Sequence, residues 1–154
     1  MEIGESPSEP FAEFVEKAEP RLRFALAAGL GQQQGREATA EALAYAWEHW
    51  ERISEMENPI GYLYRVGRTR GRPRQRRAFA PVPVEEFPHV EPKLPAAIGR
   101  LSERQRVAVV LVHGFGWTRP EVADLFEISV SAVNAHIARA LSKLRSALGV
   151  TVDA

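Results

Sequence analysis

One side of the segment 130–148 collects side chains suited to recognition rather than catalysis. Ser131, Ala132, Ala135, His136, Arg139 and Lys143 share a face at helical spacing, with Asn134 and Arg145 on its flanks. Near the start of a helix, an asparagine amide can pair with an adenine edge, and Ser or His can donate to bases or phosphates. Arg139 and Lys143 lie farther along and suit backbone phosphates, which position a helix without reading sequence. Val133, Ile137, Ala140, Leu141, Leu144 and Leu148 recur on the other side as an apolar stripe. A helix of this kind packs one face at home and leaves the other for the DNA major groove. An ordinary three-helix bundle with a solvated face has the same stripe, so the preceding elements decide between the two.

Those elements are punctuated as a helix-turn-helix requires. Ser102 followed by Gln105 is a capping-box pattern and predicts a helix from Glu103 through the apolar patch Val107–Val112. Gly114 and Gly116 break the chain, with Phe115 and Trp117 beside them available for packing. Thr118 with Glu121 is a second capping box, and Pro120 falls in a first turn, where a missing amide hydrogen does no harm. This predicts a short helix, Arg119–Phe126, burying Val122, Ala123 and Leu125 or Phe126. Ser129 caps the last helix, which runs to Leu148 without Gly or Pro. At Glu127 the tight turn favours a residue tolerant of a left-handed backbone, so strain is expected there.

Enzyme chemistry finds little support. The four histidines (His49, His89, His113, His136) are scattered, there is no cysteine, and no metal-ligand spacing appears. Gly114-Phe-Gly-Trp follows a helix rather than a strand and is no phosphate-cradling loop. No catalytic residue, metal or cofactor is expected. The longest aliphatic run, Val107–Val112, is far short of the ~20 residues needed to span a bilayer. The N-terminus MEIGESPSEP is acidic and polar, unlike a signal peptide. A cytoplasmic protein without membrane association is the expectation.

At 154 residues, the chain can form one medium domain or two small ones. Its net charge is zero, but the charge is unevenly spread. Residues 1–60 hold twelve acids against five bases, whereas residues 61–80 hold seven arginines and no acid. Those arginines (Arg65, Arg68, Arg70, Arg72, Arg74, Arg76, Arg77) attract phosphate, or else make a solubilising arm. Five of the eleven prolines fall in residues 81–95, PVPVEEFPHVEPKLP, a composition that excludes a helix and favours an extended linker.

The expected architecture is therefore all-α: two small helical domains, 8–77 and 94–149, joined by a Pro-rich linker, 78–93. In the first domain a helix begins near Ser8 and carries Phe11, Phe14, Val15 and Ala18, with Pro20 kinking or dividing it before Leu22–Leu26. Gly29, Gly31 and the glutamines 32–34 read as a loop before a helix from about Glu37 to Ile53. That helix presents Leu43, Trp47, Trp50 and Ile53 at three- and four-residue steps, and the aromatics read as core. Asn58-Pro59 starts a third helix with Ile60, Leu63 and Val66 inward and Tyr62, Tyr64 and Arg65 partly outward. Gly67, Gly71 and Pro73 weaken its end.

The segments LSERQRVAVVLVHGFGWTRPEVADLFEISVSAVNAHIARALSKLR and AWEHWERISEMENPIGYLYRVGRTR resemble the small, extracytoplasmic-function-type sigma factors of bacterial RNA polymerase. The first is similar to their C-terminal domain (region 4), which reads the −35 promoter element. The second is similar to their N-terminal domain (region 2), which grips the polymerase clamp and opens the −10 element.

The resemblance implies that Ser131, Asn134, Ala135, His136 and Arg139 face the −35 element, with Thr118 and Ser129 on phosphates. It places Tyr62 where the family usually has Trp beside the melted −10 strand, with Arg65 and Arg68 on that strand's backbone. The helix around Leu43, Trp47 and Trp50 would meet polymerase. Promoter DNA and core RNA polymerase are the implied partners, and an anti-sigma factor is a further one. Ala40 and Leu43 stand where the family has Gln and Phe, Thr69 where it has Asn, and Pro73 where Asp is common. These departures keep open a stand-alone helix-turn-helix regulator that has lost promoter melting.

Overall fold

The computed structural model describes residues 8–70 and 91–149, in which every regular element is helical. The linker residues 78–90, Gly71, Pro73 and the arginines beyond Arg70 lie outside the described residues. The N-terminal half holds α1 (Ser8–Leu30), α2 (Gln32–Glu48), α3 (Trp50–Ile53) and α4 (Pro59–Arg70). The C-terminal half holds α5 (Leu94–Gly99), α6 (Glu103–Val109), a π-helical turn (Val110–Gly114), α7 (Arg119–Phe126) and α8 (Val130–Leu148).

Two expectations for the N-terminal half are corrected. Pro20 sits inside α1 without dividing it. Ala18 and Leu22, on either side of the proline, are both fully buried, and that packing outweighs the lost backbone hydrogen bond. The glutamines 32–34 are the first turn of α2 rather than a loop. Gly31 alone reverses the chain with φ 91°, a left-handed conformation that glycine tolerates, and glutamine is a good helix former. The helix then breaks at His49, so Trp50–Ile53 forms a separate turn.

Asn58 starts α4 as its type suggests, its Oδ1 accepting from the Gly61 amide at 3.2 Å. Tyr64 departs from expectation. It is buried, its ring lying 5.9 Å from that of Phe126, and burial pushes its hydroxyl pKa well up. Gly67, expected to weaken the helix, instead lies against the Ala38 carbonyl and Leu26, where α4 crosses the α1–α2 pair.

Both capping boxes form, with the Ser102 and Thr118 hydroxyls accepting from the amides of Gln105 and Glu121 and their own backbone amides donating to the Gln105 and Glu121 side chains. Glu127 adopts the left-handed conformation its place requires, φ 56° and ψ 46°. Ser129 caps α8, and Gly149 ends it with φ 70°. The π-helical turn that ends the apolar patch was not legible in the sequence.

The two halves share one core. Ala18, Leu22, Leu26, Ala38, Ala42 and Leu63 from the first half cluster with Val107, Leu111, Val122, Leu125, Val133 and Ile137 from the second. A smaller cluster of Leu101, Val109 and Ala140, backed by Leu144, anchors the middle of α8.

Candidate nucleic-acid interface

The helix-turn-helix presents α8 as its sequence predicts. Val133, Ile137 and Ala140 are buried, while Ser131, Asn134 and Arg139 are exposed. Ala138 and Ser142, which sequence reasoning missed, are exposed along the same helix. Thr118 and Ser129 are exposed at the N-termini of α7 and α8, where unpaired backbone amides favour anions.

Three expected members of the face are more constrained. Ala135 and His136 are half-buried. His136 Nδ1 is buried without a hydrogen-bond partner among the described residues. Burial, with Arg104 and Arg139 nearby, holds the imidazole below its ordinary pKa, so it is neutral near pH 7. Lys143 donates to Gln105 Oε1 at 2.9 Å, which ties its ammonium to α6.

Arg119 is a second feature the sequence reading missed. Its guanidinium donates to Asn134 Oδ1 at 3.1 Å, fixing the amide so that its NH2 faces away from α7. Arg119 lies in the first turn of α7, fifteen positions before Asn134, and only the fold brings the two together. An orienting donor of this kind reduces the freedom a base-reading amide would lose on binding.

Of the residues expected to hold a melted strand, Arg65 and Arg68 lie on the side of α4 that meets the second half, whereas Tyr62 meets Tyr45 of α2. Arg68 makes a two-pronged pair with Glu103, Nε to Oε1 at 2.6 Å and Nη2 to Oε2 at 2.7 Å. Arg65 pairs with Glu127 at 3.2 Å, and Asn58 Nδ2 donates to the Asp124 carbonyl at 2.6 Å. Farther along the same seam, the buried Arg106 donates to the carbonyls of Ala28 (2.8 Å) and Gly29 (2.6 Å). Arg21 pairs with Glu121 and lies over the Trp117 ring at 4.9 Å, and Phe24 stacks on Phe115 at 4.6 Å. Arg65 and Arg68 of α4 are thus engaged by α6 and by the turn between α7 and α8.

Leu43 and Trp50 are half-buried against the core, whereas Trp47 is 50% exposed, which corrects the expectation that its ring is core. Phe11 lies 5.0 Å from Trp47 and 5.3 Å from Trp50, and Phe14 lies 5.2 Å from Trp50. The four rings form an aromatic edge along the ends of α1 and α2, backed by the core but open to solvent. Among the described residues no helix is long and apolar enough to cross a membrane, and no group of three or more His, Asp or Glu could hold a metal.

Residues 93–144 match the sigma-70, region 4 family. The resemblance to sigma factors holds in sequence over this segment, and two solved structures extend it in fold. The sigma factor RpoE, solved in complex with the anti-sigma factor NepR from Bartonella quintana, superposes with a TM-score of 0.64 at 18% identity. The superposition covers 94% of this chain and 99% of that one. CnrH, solved in complex with the cytosolic domain of CnrY, gives 0.63 at 24% identity, covering 96% and 92%. No curated protein matches the chain in sequence. The region 4 match spans α5 through residue 144, and so contains α7, the turn and all but the last four residues of α8.

Proposed function

We propose that this protein is a sigma factor that directs core RNA polymerase to specific promoters, with α8 reading the −35 element from the major groove. The observation that carries this reading is the two-sided α8 within the region 4 match, its stripe buried and Ser131, Asn134 and Arg139 exposed. Asn134, oriented by Arg119, reads a base edge. Arg139, Thr118 and Ser129 hold phosphates, and Ala135 and His136 shape the floor of the contact. Lys143 contributes charge at the margin once it leaves Gln105.

In this reading residues 8–77 are the polymerase- and −10-binding domain, 78–93 the linker, and 94–149 the −35-binding domain. The aromatic edge with Leu43, Trp47 and Trp50 docks on polymerase. Tyr62 stacks beside the melted strand, and Arg65 and Arg68 hold its backbone. Releasing a base from the duplex costs a few kcal/mol, and an aromatic and cationic surface offsets it. For Arg65 and Arg68 to reach DNA, their pairs with Glu127 and Glu103 must break, so the halves separate on polymerase. RpoE and CnrH were each solved with a protein partner, which supports an anti-sigma factor as a partner here. The protein acts in the cytoplasm and has no catalytic role.

The engagement of Arg65 and Arg68 also favours a second reading, a stand-alone regulator that binds duplex DNA and never melts it. A pull-down with core polymerase separates the two. Association above background is expected of the sigma factor, and its absence would leave the regulator.

A further inference from the structure

Where α4, α6 and α7 meet, a cavity of about 70 Å³ is lined by Tyr64, Arg65, Arg68, Glu103, Arg104 and Phe126. It lies in the seam, with three of these residues from each half. Its charge is unbalanced. Three guanidinium groups line it against one carboxylate, and both oxygens of that carboxylate, on Glu103, are taken by Arg68. Arg65 uses one terminal nitrogen on Glu127. Arg104 is exposed and has no carboxylate within ion-pair distance among the described residues. It lies over the Phe126 ring at 5.1 Å, which holds its guanidinium at the cavity wall.

Tyr64 supplies a second, independent observation. It is 4% exposed, yet its hydroxyl makes no hydrogen bond to any other described residue. Burial pushes its pKa well up and keeps the hydroxyl protonated, while the charges it feels most are those of Arg68, Glu103 and Arg104, all on the cavity lining. A buried hydroxyl is ordinarily satisfied, so this one is a donor short of an acceptor. Surplus positive charge and an idle donor together call for an anion. Guanidinium groups match the paired oxygens of a tetrahedral oxyanion. Roughly 15 Å³ of such space admits one water, so a phosphorus with its four oxygens fits, whereas a nucleotide's sugar and base do not. A phosphate of the DNA backbone, flanked by two sugars, is excluded by the same measure while the halves are closed.

We propose that this cavity binds free inorganic phosphate, which bridges Tyr64 and Arg65 of α4 to Arg104 of α6 and holds the two halves closed. The parting of the halves separates these residues, so the ligand stabilises the closed form by mass action. The binding itself stands apart from the sigma-factor reading. Its consequence rests on that reading: phosphate opposes the separation that polymerase and DNA require.

The test titrates the full chain, without polymerase or DNA, with inorganic phosphate at constant pH and ionic strength. Chloride is the reference anion and AMP the bulky phosphate. Phosphate alone is expected to raise the thermal midpoint and to shift the backbone amide NMR signals of residues 64–68 and 103–106, readouts that need no variant to fold. Tyr64→Phe removes an oxygen that makes no hydrogen bond within the described chain, and Arg104→Gln removes an exposed charge. Each is expected to weaken phosphate binding about tenfold. Arg100→Gln, at an exposed arginine outside the lining, is expected to bind as the parent does. Shifts confined to the N-termini of α7 and α8, AMP binding as tight as phosphate, or unchanged affinity in Tyr64→Phe combined with Arg104→Gln would overturn the site. Core-polymerase association is then measured with and without phosphate, and phosphate is expected to weaken it. Equal association in both would remove the closing role. A chain that binds core but no phosphate loses the cavity proposal alone, and one that binds phosphate but no core loses the sigma-factor reading alone.

Discussion

Arg68 and Glu103, 35 positions apart, are joined by two hydrogen bonds that fasten α4 to α6. Both side chains are less than a third exposed, so the pair is better shielded than an ordinary surface bridge. The same arginine is the one proposed to hold the melted strand, which makes the closed packing and strand binding mutually exclusive.

Glu103→Gln keeps the shape but removes the charge. It is expected to cost about 1–2 kcal/mol in urea unfolding, since a charge-assisted two-pronged pair is lost at a partly shielded site. Amide exchange in α4 should quicken more than in α2. Uniform quickening across the chain would mean that the pair does not act as a latch between the halves.

Gly35 packs directly on α1. A Cβ there would lie 2.5 Å from the Cα and 2.6 Å from the amide nitrogen of Ala27, backbone atoms that cannot step aside. Gly35→Ala is therefore expected to destabilise by about 1–3 kcal/mol despite alanine's higher helix propensity. A thermal midpoint equal to that of the parent would show that α1 and α2 can part without cost.

Trp47 is half in water. Trp47→Ala is expected to cost about 1–2 kcal/mol rather than the 3–5 of a core ring, because only part of the indole leaves a packed site. Association with core polymerase should fall at the same time. Full retention of that association would remove Trp47 from the docking edge.

Arg139→Ala is expected to weaken binding to all DNA sequences alike and to reduce the slope of log affinity against log salt by about one, as loss of a single phosphate contact requires. A changed base preference with an unchanged slope would assign Arg139 to base reading.

His136 is held below its ordinary pKa of 6.5 by burial and by Arg104 and Arg139. The folded chain therefore takes up this proton less readily than the unfolded one. The linked stability is full above the ordinary value and declines as pH falls below it. His136→Gln should flatten that decline in urea titrations run at successive pH values. An unchanged profile would mean that other groups govern the acid limb.

The C-terminal half was legible because its signals are local. Two capping boxes, a Ser cap and a 3.6-residue stripe each depend on neighbours within one or two turns, and all four appear where the sequence puts them. The N-terminal misreadings share a cause in tertiary packing. Pro20 and the glutamines 32–34 carry breaker and loop signals that the α1–α2 contact overrides. Trp47 and Tyr64 exchange their expected places because helical spacing gives a face but not what covers it, and α7 covers Tyr64. The arginine run looked uniform in sequence. Only the fold separates Arg65 and Arg68, met by carboxylates from α6 and the α7–α8 turn, from Arg70, which is not.

The most direct test of the account is run-off transcription with core RNA polymerase on a pool of candidate promoter fragments. Addition of the chain is expected to yield discrete transcripts that disappear with Asn134→Ala combined with Arg139→Ala. If no fragment gives a transcript while the chain fails to associate with core polymerase, the sigma-factor reading is wrong.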